Sequence, residues 1–547
     1  MKSIRRRLPD ILYCWFLVSL ILPNVLLSLT EPMGGWARVA NVALPLGVIG
    51  ILAAISDKVG RTVWLMFPLV FLAAFQIVLL GLYGRSVIAV DMFLNLVTTN
   101  STEVGELLGS LWPSILFVCL LYLPALVTAI YISRRDMRLT PGFTRRCRRF
   151  SVTAGCVGLV ALAMSYMAPT AYAVSRDLYP VNVGYNICLA VDRTIRTGAY
   201  HDTSADFRYG ARCEHPDSVR EVCVLVVGET SRAADWQLLG YGRPTNPRLS
   251  RRQGLYCAPQ AVSESNTTHK SVPMLLSPVE ARTFGSAIYE VKSLITAFGE
   301  AGYETAFFSN QQRNHSFIDF FGLEADTALF VREAPGYRAV PGDFGLLPYV
   351  ASTLAGNARK QLIVLHTYGS HFNYCDRYGD EDAHFKPDRF PEASAEYRRE
   401  LVNAYDNTIV ATDRFLDSLI SMVDSVGCRA SLLYASDHGE DIFDDGSRRF
   451  LHASPLPSVN QVHVPMLVWL SDSYRSAYPE VDRALRANCS KLISTSRSYC
   501  PTALTLGGIS TPRVDAGASV ASRGYKPREP LYLNDHNEPV ALKTLLK

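Results

Sequence analysis

The stretch EVCVLVVGE at residues 221–229 decides the predicted fold of the C-terminal part of the chain. Its unbroken apolar run, bounded by Gly228, is typical of a strand buried on both faces, as in a parallel sheet. Similar runs follow at 304–308, 361–366, 430–435 and 464–470. Helical periodicity at 288–301 and 393–424 lies between them. Strands that alternate with helices predict an α/β fold, with an open, mixed and largely parallel sheet and helices on both faces.

Polar side chains lie where three of these predicted strands end. They are Glu229, His366 with His371 five residues later, and the pair Asp437 and His438. In open α/β sheets, functional residues gather just beyond the carboxyl ends of the strands. A set of Asp, Glu and His suits zinc or manganese better than calcium or an iron–sulfur cluster. The pattern predicts a metal site; the alternative is that these side chains only complete hydrogen bonds at turns.

A hydroxyl-rich segment, AVSESNTTHKSVPM at 261–274, is predicted to be a loop that leads into a helix. Backbone N–H groups at such a helix start can receive a phosphate. A hydroxyl nucleophile needs activation, and coordination to a metal is one way to achieve it. The alternative is an ordinary Ser/Thr-rich loop.

The charge of the chain argues against nucleic-acid binding. The 547 residues contain 54 Lys+Arg and 50 Asp+Glu, a net charge of +4 (54 − 50), and the C-terminal part has no basic face.

The N-terminal part of the chain contains long apolar stretches. A helix needs roughly 20 apolar residues to span a bilayer. Stretches that meet this requirement lie near 11–29, 36–55, 64–83, 112–133 and 151–170. We interpret the first as a retained anchor, because it has no small-x-small cleavage site and further spans follow it.

The basic residues predict the orientation of the five spans. One side carries Lys2, Arg5, Arg6, Arg7, Lys58, Arg61, Arg134, Arg135, Arg138, Arg145, Arg146, Arg148 and Arg149, and the other carries only Arg38 and Arg85. By the positive-inside rule the first side is cytoplasmic. The N-terminus is then cytoplasmic, and everything after residue 170 lies outside the cytoplasm, in the periplasm of a host with an outer membrane. A lipid-binding or nucleic-acid-binding role for the arginines of 134–149 is the alternative.

These patterns divide the chain into three parts. Residues 1–170 form the transmembrane domain, 171–215 an interfacial bridge, and 216–547 the extracytoplasmic domain. Within the extracytoplasmic loop 84–111, Asn95, Thr99 and Glu103 recur at every fourth position and would share one helix face. Such a stripe at the membrane surface suits an amine-bearing or phosphate-bearing lipid headgroup; the alternative is a solvated face.

An ordered set of motifs runs through the chain. It comprises GETSRAADWQLLGYGRPTNPRL (228–249), NTTHKSVPM (266–274), HTYGSH (366–371), AYDNTI (404–409), SDHGE (436–440) and LHASP (451–455). Behind five spans, this set resembles the phosphoethanolamine transferases of the alkaline phosphatase/sulfatase superfamily. This group includes lipid A modifying enzymes and the mobile colistin-resistance proteins.

The resemblance implies a role for each matching residue. Glu229, Thr268, Asp437 and His438 match the ligands of the catalytic zinc, and Thr268 also matches the nucleophile. His366, His371 and His452 match histidines that bind substrate phosphate or a second zinc, with His371 and His452 as proton carriers. Asn95, Thr99 and Glu103 match positions that contact the phosphoethanolamine headgroup. Zinc is therefore the expected metal, ahead of manganese.

The implied reaction is transfer of phosphoethanolamine from phosphatidylethanolamine to lipid A or a related surface glycan. A phospho-threonine forms, diacylglycerol leaves, and the acceptor then attacks, in a ping-pong mechanism. We expect a monomer in the inner membrane whose periplasmic, sulfatase-like domain contributes to polymyxin resistance. The alternatives are a phosphoglycerol transferase, a sulfatase-like phosphodiesterase or hydrolase, and a non-catalytic membrane sensor.

Two features depart from the family. The cysteines that bridge the nucleophile loop in some members would fall at Glu264 and Met274, and the segment 309–322 lacks a lysine for which Arg313 or His315 is the candidate substitute. Both departures bear on the acceptor. The oxidising compartment allows disulfides; we expect incomplete pairing, with Cys223 free and Cys489–Cys500 as the favoured bridge.

Overall fold

A computed structural model describes residues 2–83, 87–98, 112–167, 172–446 and 449–546 of the chain. The described residues fall into two compact units, one made mainly of the N-terminal helices and one that contains the C-terminal α/β domain.

The N-terminal part consists of helices. They are α1 (Lys2–Thr30), α2 (Gly35–Ala53), α3 (Val59–Leu65), α4 (Phe67–Tyr83), α5 (Val90–Thr98), α6 (Trp112–Arg134), α7 (Pro141–Ser165), α8 (Val174–Asp177) and α9 (Val181–Gly198). Among the described residues, four helices are long and apolar enough to cross a membrane: Arg7–Thr30 of α1, and α2, α6 and α7. These four agree with predicted spans, and the chain is a membrane protein.

The predicted span at 64–83 is a broken helix. Val59–Leu65 and Phe67–Gly81 are bent by 61° against each other, and they make a fifth span only if the pair crosses as one. The break coincides with Pro68, which has no N–H to donate to the preceding turn. Hydropathy shows how long an apolar segment is, but it does not show whether that segment forms one continuous helix.

Small residues bring α2 and α7 into close contact. A Cβ at Gly47 would lie 2.6 Å from the backbone of Gly155, and one at Gly158 would lie 2.7 Å from the backbone N of Leu44. Backbones that approach this closely gain van der Waals contact, which is the main attraction between helices in lipid. The α2–α7 pair is therefore a tight unit on which α1 also packs.

The C-terminal domain is built on a seven-stranded sheet. In chain order its strands are β2 (Glu221–Gly228), β3 (Leu255–Cys257), β5 (Glu304–Ser309), β6 (Thr327–Phe330), β7 (Lys360–His366), β8 (Arg429–Ser436) and β11 (Met466–Leu470). The remaining strands form two-stranded sheets. Three are antiparallel: β1 (Arg212–Cys213) with β13 (Ile509–Ser510), β9 (Asp441–Ile442) with β10 (Phe450–Leu451), and β14 (Leu531–Leu533) with β15 (Pro539–Ala541). The pair of β4 (Ala261–Val262) and β12 (Ile493–Ser494) is parallel.

The strand order is β3-β11-β8-β2-β7-β5-β6. Strands β8, β2, β7, β5 and β6 are parallel to their neighbours, whereas β11 runs antiparallel to both β8 and β3. The predicted mixed, largely parallel sheet is confirmed. All five predicted runs are strands; β3 and β6 were not predicted, because they are short and only partly buried.

Helices cover both faces of this sheet. The helices of the C-terminal domain are α10 (Tyr200–Thr203), α11 (Thr268–Leu276), α12 (Phe284–Ala287), α13 (Leu294–Glu300), α14 (Phe317–Gly322), α15 (Leu347–Leu354), α16 (Arg398–Asp424), α17 (Val459–Val462), α18 (Asp472–Ala477), α19 (Pro479–Asn488), α20 (Thr495–Leu506) and α21 (Leu542–Leu545). The helix predicted at 288–301 is wrong at its start: α13 begins at Leu294, where the Ser293 hydroxyl accepts the N–H of Ile295. The helix predicted at 393–424 begins later, at Arg398.

Strand β2 buries side chains on both faces of the sheet. Cys223, Leu225 and Val227 join the core cluster that contains Phe298 of α13 and Tyr499 of α20. The intervening valines point to the opposite face, and every residue of β2 is buried. The polar side chains of the candidate site follow β2 and β8 at their carboxyl ends.

Candidate active site

Glu229 leaves the carboxyl end of β2 and is 1% exposed. The next residue, Thr230, has a φ of 57°, in the left-handed region, and its N–H donates to Asp437 Oδ1 at 3.1 Å. On the other side of Glu229, Gly369 (φ +48°) approaches so closely that a Cβ there would lie 2.5 Å from the Glu229 carbonyl oxygen. Only glycine fits at position 369, and this fit brings the loop after β7 against Glu229.

Asp437 and His438 follow β8, the neighbour of β2, and both are fully buried. Asp437 Oδ1 also accepts the N–H of His438 at 2.7 Å, and Asp437 Oδ2 accepts the Ser271 hydroxyl at 3.3 Å. His438 Nδ1 lies 2.9 Å from the carbonyl oxygen of Gly439. That contact requires a proton on Nδ1, so the lone pair of Nε2 is left to face Glu229 and Asp437.

Thr268 is the first residue of α11. Its Oγ1 lies 3.0 Å from His438 Nε2 and 3.3 Å from Glu229 Oε1. The amino end of a helix carries partial positive charge and favours anionic groups. The hydroxyl of Thr268 is therefore placed where the helix dipole favours an alkoxide or a bound phosphoryl group.

These residues form a compact set of possible metal ligands. Ligand atoms of Glu229, Asp437 and His438 lie within 4.8 Å of one another, and theirs is the one such group of His, Cys, Asp and Glu among the described residues. His438 Nε2 is 3.6 Å from Glu229 Oε1 and 3.3 Å from Asp437 Oδ2. With the Thr268 hydroxyl, two carboxylates and an imidazole make four borderline donors, a set that fits zinc.

The electrostatics of the buried carboxylates also fit a cation. Burial raises the pKa of Glu229, and burial together with the nearby Glu229 carboxylate raises the pKa of Asp437 well above its usual range. No lysine or arginine in the described part of the chain forms an ion pair with either of them. Two adjacent buried carboxylates are costly to ionise together unless a cation lies between them.

Two further predicted histidines lie beside this centre. The rings of His438 and His452 are 4.2 Å apart, and the rings of His452 and His371 are 6.0 Å apart. His371 Nδ1 lies 2.7 Å from the carbonyl oxygen of Phe372, and burial lowers the pKa of His371 to about 3. Burial likewise lowers the pKa of His452, whose Nδ1 is 3.6 Å from Glu440 Oε2. Both imidazoles are neutral at pH 7 in this environment.

The remaining predicted residues are placed differently. His366 ends β7, and its Nδ1 lies 3.0 Å from the Ser309 hydroxyl, so it joins the ends of two strands and is not part of the ligand set. The predicted headgroup residues Thr99 and Glu103 lie outside the described residues. Of Asn95 only the backbone, within α5, is described.

Gln311 is a site residue that the sequence did not reveal. Its Nε2 donates to Glu229 Oε2 at 3.1 Å and to the carbonyl oxygen of Thr367 at 2.8 Å, which fixes the second carboxylate oxygen of Glu229. Arg313, one of the two suggested substitutes for the missing lysine, pairs with Glu333 and lies over the Phe330 ring. Gln311 follows the end of β5 by two residues, so the strand-end rule could have found it once β5 was extended to Ser309.

Glu264 stands at one of the two positions where the family resemblance would place a cysteine. It is buried, and its carboxylate accepts the N–H of Ala281 at 2.9 Å and the Ser494 hydroxyl at 2.9 Å. Burial raises the pKa of this carboxyl. These hydrogen bonds join the loop before Thr268 to two other segments, the function that a disulfide would otherwise serve.

We expect Glu264→Ala to lower the free energy of unfolding by about 2 kcal/mol, because it leaves buried donors without an acceptor. Denaturant unfolding of the full-length protein in detergent, followed by tryptophan fluorescence, measures the effect. Glu290→Ala is the matched control, since Glu290 is exposed. Equal stabilities of the two variants would show that Glu264 does not brace the loop.

The cysteines correct one prediction and confirm another. All twelve are free thiols, so the predicted Cys489–Cys500 bridge is wrong. Cys489 caps the end of α19 beside Cys257, whereas Cys500 is enclosed within α20 in the apolar core. Cys223 is free and buried in β2, as predicted.

Curated proteins of similar sequence are named phosphoethanolamine transferases. Phosphoethanolamine transferase EptA of Salmonella typhimurium is 31% identical over 319 residues, which are 55% of this chain and 56% of that protein. The chain thus spans about half the length of the curated relatives it matches.

Two solved structures share the fold. The integral membrane lipooligosaccharide phosphoethanolamine transferase A (EptA) from Neisseria meningitidis has a TM-score of 0.72 at 22% identity, covering 94% of this chain and 97% of that one. The C-terminal periplasmic domain of EcEptC from Escherichia coli, in complex with Zn, has a TM-score of 0.55 at 24% identity, covering 61% of this chain and 96% of that one. Finally, the family described as Sulfatase matches residues 221–509, more than half of the 547 residues, and the chain therefore belongs to the sulfatase family.

Proposed function

We propose that the protein transfers phosphoethanolamine from phosphatidylethanolamine to a lipid-bound surface glycan, through a covalent phospho-threonine at Thr268. The observation that carries this proposal is the position of the Thr268 hydroxyl, at the start of α11 and within 3.3 Å of both His438 Nε2 and Glu229 Oε1. The names of the relatives support phosphoethanolamine as the transferred group.

Glu229, Thr268, Asp437 and His438 would hold a zinc ion, and the EcEptC domain in complex with Zn supports this assignment. When bound, zinc lowers the pKa of a coordinated hydroxyl and polarises phosphoryl oxygens. His452 and His371 lie next to this set and are the candidates for binding the substrate phosphate or a second zinc ion.

In the first half-reaction the Thr268 oxygen attacks the phosphorus of the donor. A bond forms between Thr268 Oγ1 and phosphorus, the bond from phosphorus to the diacylglycerol oxygen breaks, and the threonine proton passes to diacylglycerol. Positive charge at the start of α11 stabilises the negative charge on the phosphoryl group. Gln311 holds the Glu229 carboxylate still through this step, because its side chain is anchored to Thr367.

In the second half-reaction an acceptor oxygen forms a bond to the same phosphorus, the bond from phosphorus to Thr268 Oγ1 breaks, and the proton of the acceptor ends on Thr268 Oγ1. The acceptor proton needs a base, and His371 and His452 are neutral imidazoles that can accept it. We propose lipid A or a related glycan as the acceptor, which the lipooligosaccharide in the name of the Neisseria protein supports. A cationic ethanolamine lowers the negative charge of the surface, so reduced polymyxin binding is the expected consequence.

The membrane helices agree with lipid substrates. We propose that the protein lies in the inner membrane, with the N-terminus in the cytoplasm and the sulfatase-family domain in the periplasm, because the basic loops follow the positive-inside rule. Asn95, Thr99 and Glu103 remain the proposed contacts of the donor headgroup.

Donor choice tests the proposed function. Full-length protein in nanodiscs is supplied with phosphatidylethanolamine or phosphatidylglycerol that carries a labelled glycerol backbone, and released diacylglycerol is measured with and without lipid A. We expect release from phosphatidylethanolamine that increases when lipid A is present. Diacylglycerol release from phosphatidylglycerol but not from phosphatidylethanolamine would establish a phosphoglycerol transferase instead. Diacylglycerol release at the same rate with and without lipid A would establish a hydrolase.

A further inference from the structure

A groove runs along the N-terminal unit between α1 and α7. Both helices pack on α2: the Tyr13 hydroxyl of α1 donates to the carbonyl oxygen of Gly50 at 2.8 Å, and α7 meets α2 at the Gly47–Gly155 crossing. Because both are held against the same helix, a space of about 780 Å³ remains between α1 and α7. Nothing in the proposed transfer reaction uses this space.

The walls of the groove are apolar. They include Leu17, Ile21 and Val25 of α1, Leu46 of α2 and Phe150 of α7. The Tyr13 and Phe143 rings pack edge to face, with centroids 5.6 Å apart, and form its floor at one end. A lining of this kind suits an acyl chain.

The end of the groove near Phe143 is cationic. Arg146 lines both the groove and an adjoining hollow of about 1610 Å³, to which Arg7, Arg138 and Asp10 also contribute. Asp10 accepts hydrogen bonds from the N–H and the hydroxyl of Thr140, and Arg138 pairs with Asp57 and Asp136.

Two of these arginines are available to an anionic ligand. Arg7 and Arg146 form no ion pair with any carboxylate among the described side chains, and both are exposed. The apolar groove therefore opens at a net positive end, a combination that matches the two chemical parts of an anionic phospholipid.

We propose that this groove binds a glycerophospholipid with an anionic headgroup, such as phosphatidylglycerol. One acyl chain lies between α1 and α7, and the phosphate is held by Arg7 and Arg146. Basic pockets between membrane helices on the cytoplasmic side bind such headgroups, and the basic ends of α1 and α7 lie on the side that the positive-inside rule assigns to the cytoplasm. Phosphatidylethanolamine carries its own ammonium group, which weakens its attraction to two arginines, so this lipid site differs from that of the donor.

Native mass spectrometry of the full-length protein in detergent tests the site. The protein is titrated with phosphatidylglycerol and with phosphatidylethanolamine of the same acyl composition. We expect the wild-type protein to bind phosphatidylglycerol more tightly than phosphatidylethanolamine. We expect Arg146→Gln to bind phosphatidylglycerol about fivefold more weakly than the wild type does. Arg145→Gln is the matched control, since Arg145 belongs to the same basic run but does not line the groove.

A second variant tests the apolar part. Val18 lines the groove and is 69% exposed, so Val18→Trp fills the space without disturbing the core, and we expect it to displace phosphatidylglycerol. If Arg145→Gln and Arg146→Gln weakened phosphatidylglycerol binding equally, the effect would be one of general surface charge, and the proposal would be overturned. Equal binding of the two lipids by the wild type, or unchanged binding by Val18→Trp, would overturn it as well.

Discussion

Asp437→Asn is expected to abolish zinc binding and to lower the transfer rate by roughly a thousandfold or more, because a bound metal contributes several kcal/mol of charge stabilisation. The amide has nearly the same shape as the carboxylate, and its oxygen can still accept the N–H groups of Thr230 and His438. It removes one of the two negative charges on which the proposed cation site depends. Metal content of the purified variant, measured by elemental mass spectrometry, is the direct readout.

Stability separates this effect from misfolding. Without metal, Asp437→Asn should unfold at the same temperature as the wild type or higher, because one of two adjacent buried carboxylates has been neutralised. Addition of zinc should then raise the unfolding temperature of the wild type only.

Asp413→Asn is the matched control for the loss of a buried carboxylate. Asp413 lies on α16 and accepts the N–H groups of Arg248 and Leu249, and burial raises its pKa to about 6. This variant should lose some stability and keep its zinc. Full zinc occupancy in Asp437→Asn would contradict the assignment of the metal centre.

Thr268→Ala is expected to reduce transfer by at least about a thousandfold while zinc remains bound, because loss of a catalytic nucleophile removes the covalent route altogether. The other three proposed ligands, Glu229, Asp437 and His438, are unchanged in this variant. Radiolabelled transfer from phosphatidylethanolamine measures the rate, and metal content is measured on the same sample.

Thr268→Ser retains a hydroxyl at the same position and is expected to retain most of the activity. The pair of variants therefore distinguishes the chemistry of the oxygen from the shape of the side chain. Transfer by Thr268→Ala at a rate close to that of the wild type would mean that the acceptor attacks the donor directly.

The central strands could be predicted because their burial is continuous. A strand such as β2 is covered on both faces, so its sequence is an unbroken apolar run. Functional residues gather beyond the carboxyl ends of such strands, and this rule predicts that Glu229, Asp437 and His438 lie together, without knowledge of a family. Thr268 needed the resemblance, because spacing alone does not distinguish a nucleophile from other hydroxyls in a Ser/Thr-rich loop.

Features that depend on tertiary contacts could not be predicted. Strands β3 and β6 are short edge elements without a strong apolar signal, and the bend between α3 and α4 is set by the backbone at Met66 and Pro68. Gln311 becomes part of the site only because β5 and β7 are neighbours, which places its amide against Glu229 and Thr367. The groove between α1 and α7 likewise results from the packing of both helices on α2.

The most direct test of the central claim is intact mass spectrometry of the full-length protein after incubation with phosphatidylethanolamine in the absence of acceptor. The account predicts an adduct of about 123 Da, from the formula of the phosphoethanolamine group, on the wild-type protein and none on Thr268→Ala. An adduct that persists on Thr268→Ala, or diacylglycerol release without any adduct on the wild type, would contradict covalent transfer through Thr268.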